Sequence, residues 1–228
     1  MKKIEFILSK KKEIFYIFIL FLFSISINQH YGNLGLCPID SFWFFNSGYD
    51  ALNGYYPFKD YWVIAGPFIT FVQAILFKIF GVSWFTYVLH ASLFNFLISI
   101  VTFYTLCKLK LNINFSFFYS LLVASIAYTS AGTPFVDHHA SILSIISLLF
   151  FILAIKTNSV IYWFILPITL VIAFLTKQTP SGYIGLIIIF FTIIYFLLNF
   201  DLRKIFYAFL GSLTIILFFL LILFLTSI

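Results

Sequence analysis

The sequence predicts an all-α polytopic membrane protein: one transmembrane domain over residues 1–228, with about seven crossing helices and two interfacial helices in the first outer loop. Three observations predict it. Hydrophobic residues make up 63% of the chain and charged residues 9%, too little polar surface to cover a water-soluble globule. Apolar runs long enough to cross a bilayer recur along the chain. Five basic residues, Lys2, Lys3, Lys10, Lys11 and Lys12, crowd ahead of the first of these runs, which is an orientation signal. The formal net charge of +6 therefore belongs to topology, and no nucleic-acid partner is expected.

The first run, 14–28, has the length of a signal-peptide core. Asn28-Gln29-His30-Tyr31 offers no small-x-small cleavage site, so the run is expected to stay as a helix. Residues 28–82 then form a long loop. Within it Phe42, Phe45, Tyr49 and Leu52 recur at helical spacing, which predicts a short amphipathic helix from Ser41 with Asp40 as its N-cap and Asp50 on its solvated face. The stretch NGYYPFKDYWVIAGPF, 53–68, turns the chain with two prolines and two glycines. The next segment, PFITFVQAILFKIF at 67–80, reaches only about 21 Å as a helix, short of a hydrocarbon core of about 30 Å. Its polar residues Thr70, Gln73 and Lys78 share one arc, which predicts a helix lying in the interface with that arc toward water. The remaining spans are 83–107, 113–129, 140–155, 160–175, 181–199 and 205–226. Cys37 lies in the first loop and Cys107 at the far end of the next span, so no disulfide between them is expected.

Charge chooses between two topologies. If 67–80 stays on the surface, ten basic residues lie on the cytoplasmic side with the N-terminus, and only Lys59, Lys78 and Lys177 lie outside. If it crosses, the split becomes seven to six and the positive-inside bias disappears. The first arrangement puts the 28–82 loop, the turn around Asp137 and the Lys177 turn on one non-cytoplasmic face. Asp40, Asp50, Asp60 and Asp137 fall on that face too. Ionisable groups beside a bilayer are costly unless solvated or paired, so their concentration points to a polar cavity.

Two further stretches carry chemistry. In TSAGTPFVDHHAS, 129–141, Asp and His are ordinary oxygen and nitrogen ligands of divalent metals, which makes Asp137 with His138 a candidate metal pair. Adjacent helical positions point about 100° apart, so His138 and His139 are not expected to share one ion. The other reading is a pair of interfacial histidines at a helix start. In LTKQTPSG, 175–182, Lys177 is either a partner for lipid phosphate or a snorkelling anchor, and Pro180 separates two helices.

In this order, Asp40 after the first span, GYYPFKDYWVIAGPF, PFVDHH and FLTKQTPSG resemble the N-terminal half of the polyprenyl-phosphate-dependent GT-C glycosyltransferases. The relatives meant are the group of the protein mannosyltransferases and the aminoarabinose transferase that modifies lipid A. The likeness runs from Met1 to about Ile187. It implies two juxtamembrane helices in the first outer loop and an acid at the loop's start, Asp40, acting on an acceptor hydroxyl. Ser41 stands where that family often has a second acid. The likeness also implies that Asp137 helps organise the donor phosphate or a divalent metal, and that Lys59 and Lys177 contact the phosphate.

Asp60 and the aromatics Tyr55, Tyr56, Tyr61 and Trp62 would then floor the site, with Tyr56 against the sugar; each aromatic also suits the membrane interface. Such an enzyme sits in the bacterial inner membrane, N-terminus inside and active face outside. It takes a polyprenyl-phosphate sugar and an unspecified glycan, lipid or protein acceptor, and inverts the anomeric carbon. Relatives of this kind continue through further spans, so a truncated chain is expected. The competing expectation is a carrier or lipid flippase, against which stands the scarcity of ionisable residues in the predicted span middles.

Overall fold

The computed structural model describes residues 2–35 and 38–226. Among them the chain is helical, with nine helices and no strand: α1 Lys2–Gly32, α2 Pro38–Leu52, α3 Phe68–Phe80, α4 Trp84–Lys108, α5 Ile113–Ile126, α6 Val136–Thr157, α7 Val160–Thr176, α8 Gln178–Leu198 and α9 Leu202–Thr226. Five are long and apolar enough to cross a membrane: α4, α6 and α8 whole, with Lys10–Gly32 of α1 and Leu202–Phe224 of α9. Three apolar helices are shorter, namely α3, α5 and α7.

Local chemistry sets the boundaries. Ser83 caps α4 by accepting a hydrogen bond from the Thr86 amide at 3.1 Å, and Asn112 caps α5 through the Asn114 amide at 2.9 Å. Gly81 ends α3 at φ 85°, a conformation that costs glycine little. The sequence expectation placed the start of the first helix near residue 14. It starts at Lys2, because the basic stretch consists of good helix formers with no breaker before Gly32. The expectation for Cys37 lies outside the described residues.

The chain runs up and down, and contacts identify the two ends of the bundle. At one end the Trp84 indole donates to the Gly32 carbonyl at 3.0 Å, and the Tyr87 hydroxyl donates to the Pro134 carbonyl at 3.4 Å. There the Gly66 amide also donates to Thr176 O at 3.0 Å. That end gathers the finish of α1, α5 and α7 and the start of α4, α6 and α8. At the opposite end Tyr16 donates to Asn114 at 2.9 Å, Tyr162 to Tyr104 at 2.9 Å, and Lys204 to Tyr195 at 3.0 Å. Lys108, Lys110, Lys156 and Arg203 lie at that second end by chain order.

Between the ends a core of Ala91, Phe94, Ile98, Ile142, Leu143 and Ile146 joins α4 to α6, and a second of Leu153, Trp163, Leu166 and Ile188 joins α6, α7 and α8. Close packing of this kind holds apolar helices together where the surroundings are equally apolar. Polar contacts add to it: Asn95 of α4 donates to Asn28 of α1 at 2.9 Å and to the Ala124 carbonyl of α5 at 2.8 Å.

The α2–α3 hairpin covers the first end, and its polar arc is a correction to the sequence expectation. Thr70 and Gln73 face inward, 3% and 0% exposed, and only Lys78 faces outward. The reason is pairing. Thr70 shares a hydrogen bond with Ser47 of α2 at 2.8 Å, and Gln73 one with His90 of α4 at 2.9 Å. Polar groups that find partners in a packed interface need no water.

Candidate functional site

Asp40 sits in the first turn of α2, as its third residue, and is part-buried. The helix opens at Pro38 and not at Ser41, so the expectation that Asp40 is an N-cap is corrected: its carboxylate instead faces the positive end of the helix from inside the first turn. It lies within electrostatic range of the Tyr87 phenol. Its neighbour Ser41 is buried and shares a hydrogen bond with Thr133 at 3.3 Å, which brings the start of α2 beside the turn that leads into α6.

The 53–67 loop is held by its own residues. Asp60 accepts the Tyr56 amide at 2.7 Å, Phe58 donates its amide to Tyr61 O at 2.8 Å, and Phe58 takes φ 68° to make the turn. Lys59 lies over the Tyr56 ring at 5.9 Å. Tyr61 reaches back to Ser47, donating to its carbonyl at 3.0 Å. Burial raises its phenol pKa, while the Ser47 side chain works the other way. Tyr55 and Trp62 stay exposed. The loop's far end docks on α7, and only glycine fits there: a Cβ on Gly66 would collide with the Leu175 carbonyl.

That docking point is one residue from Lys177, whose amine makes an ion pair with Asp137 at 2.5 Å. Both side chains are partly exposed, 33% for Lys177 and 45% for Asp137. Lys177 itself is extended, φ −158° and ψ 134°, at the break between α7 and α8. The structure thus brings together at one end of the bundle the segments that carry Asp40, Lys59, Asp60, Asp137 and Lys177. Beside Asp137 opens a cavity of about 450 Å³ between α4, α5 and α6. Ile98, Ile126, Ile142 and Ile145 line its walls, and Asp137, His138 and Ser141 line its polar end.

His138 shares a hydrogen bond with Ser130 at 3.1 Å through Nε2, while its buried Nδ1 has no partner. Asp137 and His138 could hold a cation only with help, because among the described residues no third carboxylate, imidazole or thiolate joins them. Asp137 has already given one oxygen to Lys177.

Sequence reasoning missed a fully buried pair of polar side chains at this end. His90 and His139, both fully buried, face each other with Nε2 atoms 3.1 Å apart. His90 Nδ1 lies 2.9 Å from Gln73 Oε1, and His139 Nδ1 contacts the Tyr128 hydroxyl. The usable signal was Gln73, a long polar side chain inside an apolar helix that has to find a partner.

No family model matches the chain, and no curated protein matches it.

Proposed function

We propose that the chain is an integral membrane glycosyltransferase that moves a sugar from a polyprenyl phosphate to an acceptor hydroxyl at the non-cytoplasmic face. In this reading seven helices cross (α1 and α4–α9), and α2 and α3 stay at the outer surface. The observation that carries it is the Asp137–Lys177 pair, whose Asp137 lines the polar end of the α4–α5–α6 cavity and whose Lys177 follows the point where the 53–67 loop docks. A cation at the membrane surface beside an apolar slot suits a lipid whose head is a phosphate. The likeness in sequence order to the GT-C transferases supports the same reading.

The chemistry needs a base and a phosphate anchor. Asp40 takes the proton of the acceptor hydroxyl, whose oxygen attacks the anomeric carbon. The bond from that carbon to the phosphate oxygen breaks, the polyprenyl phosphate leaves with the electron pair, and the sugar ends on the acceptor oxygen with its anomeric carbon inverted. Lys177, with Lys59 at the loop, offsets the charge that develops on the leaving phosphate. Tyr56 and Asp60 shape the loop beside the sugar. No step is carried by a divalent metal, since Asp137 and His138 lie on neighbouring helical positions and no third ligand joins them among the described residues.

A carrier is the second reading, favoured by one observation: His90 and His139 are buried inside α4 and α6, and ionisable residues there often mark transport paths. Their chain ends on the Gln73 amide, which cannot pass a proton on, and this keeps the transferase reading ahead.

The test is binding of decaprenyl phosphate against decaprenol by native mass spectrometry of the purified chain. The transferase reading expects the phosphate to be preferred and that preference to vanish in Lys177→Met. Equal binding of the two lipids would contradict it.

A further inference from the structure

Two neutral or charged imidazoles brought nitrogen to nitrogen have few ways to satisfy each other. The His90 and His139 Nε2 atoms are 3.1 Å apart in a fully buried place. If both carried a proton they would repel, and if neither did, two lone pairs would face each other. One proton therefore sits between them. Each ring's second nitrogen is also engaged. His90 Nδ1 meets the Gln73 amide oxygen at 2.9 Å, and so donates to it. This leaves His90 Nε2 bare, to accept from His139 Nε2–H. His139 Nδ1 is then bare as well, and accepts the Tyr128 hydroxyl, whose oxygen takes the Phe135 amide at 2.8 Å. Every bond in the series points the same way. Turning the Gln73 amide over reverses the bonds from Gln73 to His139, whose Nδ1–H then meets the Phe135 carbonyl at 3.2 Å, while the Phe135 amide still donates to Tyr128; the rings remain unlike each other.

The chain joins elements that the site depends on. Gln73 belongs to α3, which Thr70 ties through Ser47 to the helix bearing Asp40. His139 belongs to the first turn of α6, two residues from Asp137. Phe94 packs against His139 with 4.0 Å between ring centres and the planes tilted by 47°, which covers that side of the imidazole.

We infer that His90 and His139 are positioning residues, a neutral pair in opposite tautomers that locks the start of α6 to the α2–α3 hairpin. Only the benefit to sugar transfer rests on the proposed function; the tautomers and the lock do not. The polarised order makes the joint directional, so a substitution at any link frustrates the links beyond it.

The experiment uses the full chain, labelled with ¹⁵N-histidine, in lipid nanodiscs. Solid-state NMR should find one ¹⁵N–¹⁵N coupling across a hydrogen bond, between a protonated Nε2 and a bare Nε2, with the two Nδ1 atoms in the reverse states. No such coupling, two protonated Nε2 atoms or two rings of one tautomer would overturn the inference. In Gln73→Leu the coupling should persist with His90 Nδ1 bare and His139 Nδ1 protonated toward the Phe135 carbonyl at 3.2 Å, because leucine offers His90 Nδ1–H no acceptor. A protonated His90 Nδ1 there would also count against it.

The lock is read separately by spin labels at positions 55 and 145, with Cys37 and Cys107 replaced by serine. His90→Leu should broaden the distance distribution, and His90→Gln, which keeps an oxygen or amide in reach of His139, should restore it. If transfer is measurable, His90→Leu should lower kcat by up to about 10²-fold with KM little changed, as small misplacements do, and His90→Gln should recover most of it. Broadening that His90→Gln fails to correct would leave a packing role only and overturn the lock. Absence of any transfer would count against the proposed function alone, since the coupling and the distances do not depend on it.

Discussion

The Asp137–Lys177 pair offers a test in which two neighbouring substitutions should push one property in opposite directions. Lys177→Met keeps most of the side-chain stem and removes the cation; Asp137→Asn keeps shape and removes the anion. The pair is short, 2.5 Å, but a third or more of each side chain is exposed. Screening therefore limits its worth to stability to about 1 kcal/mol or less. Both substitutions should cost the fold a similar, small amount, read as closely matched melting temperatures in detergent.

Phosphate binding separates them. A charge-assisted hydrogen bond from an amine to a phosphate contributes about 1.5–3 kcal/mol, so Lys177→Met should weaken decaprenyl phosphate binding by about 10- to 10²-fold. Asp137 competes for the same amine. Asp137→Asn should therefore hold phosphate as well as the parent or a few-fold more tightly. The assay is titration of each purified variant with decaprenyl phosphate, with decaprenol as the control for the tail. If both variants lose phosphate affinity equally, the carboxylate organises the headgroup instead of competing with it, and the reasoning from the ion pair fails.

Other outcomes follow from the fold. Gly66→Ala should cost about 1–3 kcal/mol, because the new Cβ meets the Leu175 carbonyl; thermal unfolding checks it, and Gly185→Ala, with open space around it, is the control. Reporter fusions after Lys110 and Lys204 should read cytoplasmic and fusions after Gly81 and Gly132 external; a cytoplasmic signal at Gly81 would mean that α3 crosses. Ser47→Ala leaves the buried Thr70 hydroxyl without its partner and should destabilise by about 1–3 kcal/mol, Thr70→Val should cost less because Ser47 keeps its bond to Tyr61 at 3.0 Å, and the double variant should cost less than the sum of the two, all read by thermal unfolding.

Helix number and order were legible from the sequence because apolar runs and their breakers are local signals. Pro67, Gly81, Ser83 and Asn112 punctuate the chain where the helices begin and end. The Asp137 and Lys177 turns stood out as charges in an apolar chain, but that they form a pair could not be read, since 40 residues separate them. Asp40 was placed at a cap because the helical spacing became visible only at Phe42, whereas the helix starts at Pro38. The polar arc of α3 misled for a physical reason. Periodicity reveals that Thr70 and Gln73 share a face; whether that face meets water or Ser47 and His90 depends on partners elsewhere in the chain. The histidine pair was hidden in the same way, each ring being ordinary until the fold sets it against the other.

The central claim is that Asp40 removes a proton from an acceptor hydroxyl at this face, and Asp40→Asn tests it most directly. Asparagine keeps the shape and forgoes the favourable charge at the helix start, worth about 0.3–1 kcal/mol. The measurement is transfer of labelled sugar from a decaprenyl-phosphate donor to membrane extract by the reconstituted protein, with Asp50→Asn on the same helix as control. The account predicts a loss of about 10² to 10⁴-fold for Asp40→Asn, near-parent activity for Asp50→Asn and little change in melting temperature for either. Transfer by Asp40→Asn at the parent rate would contradict it.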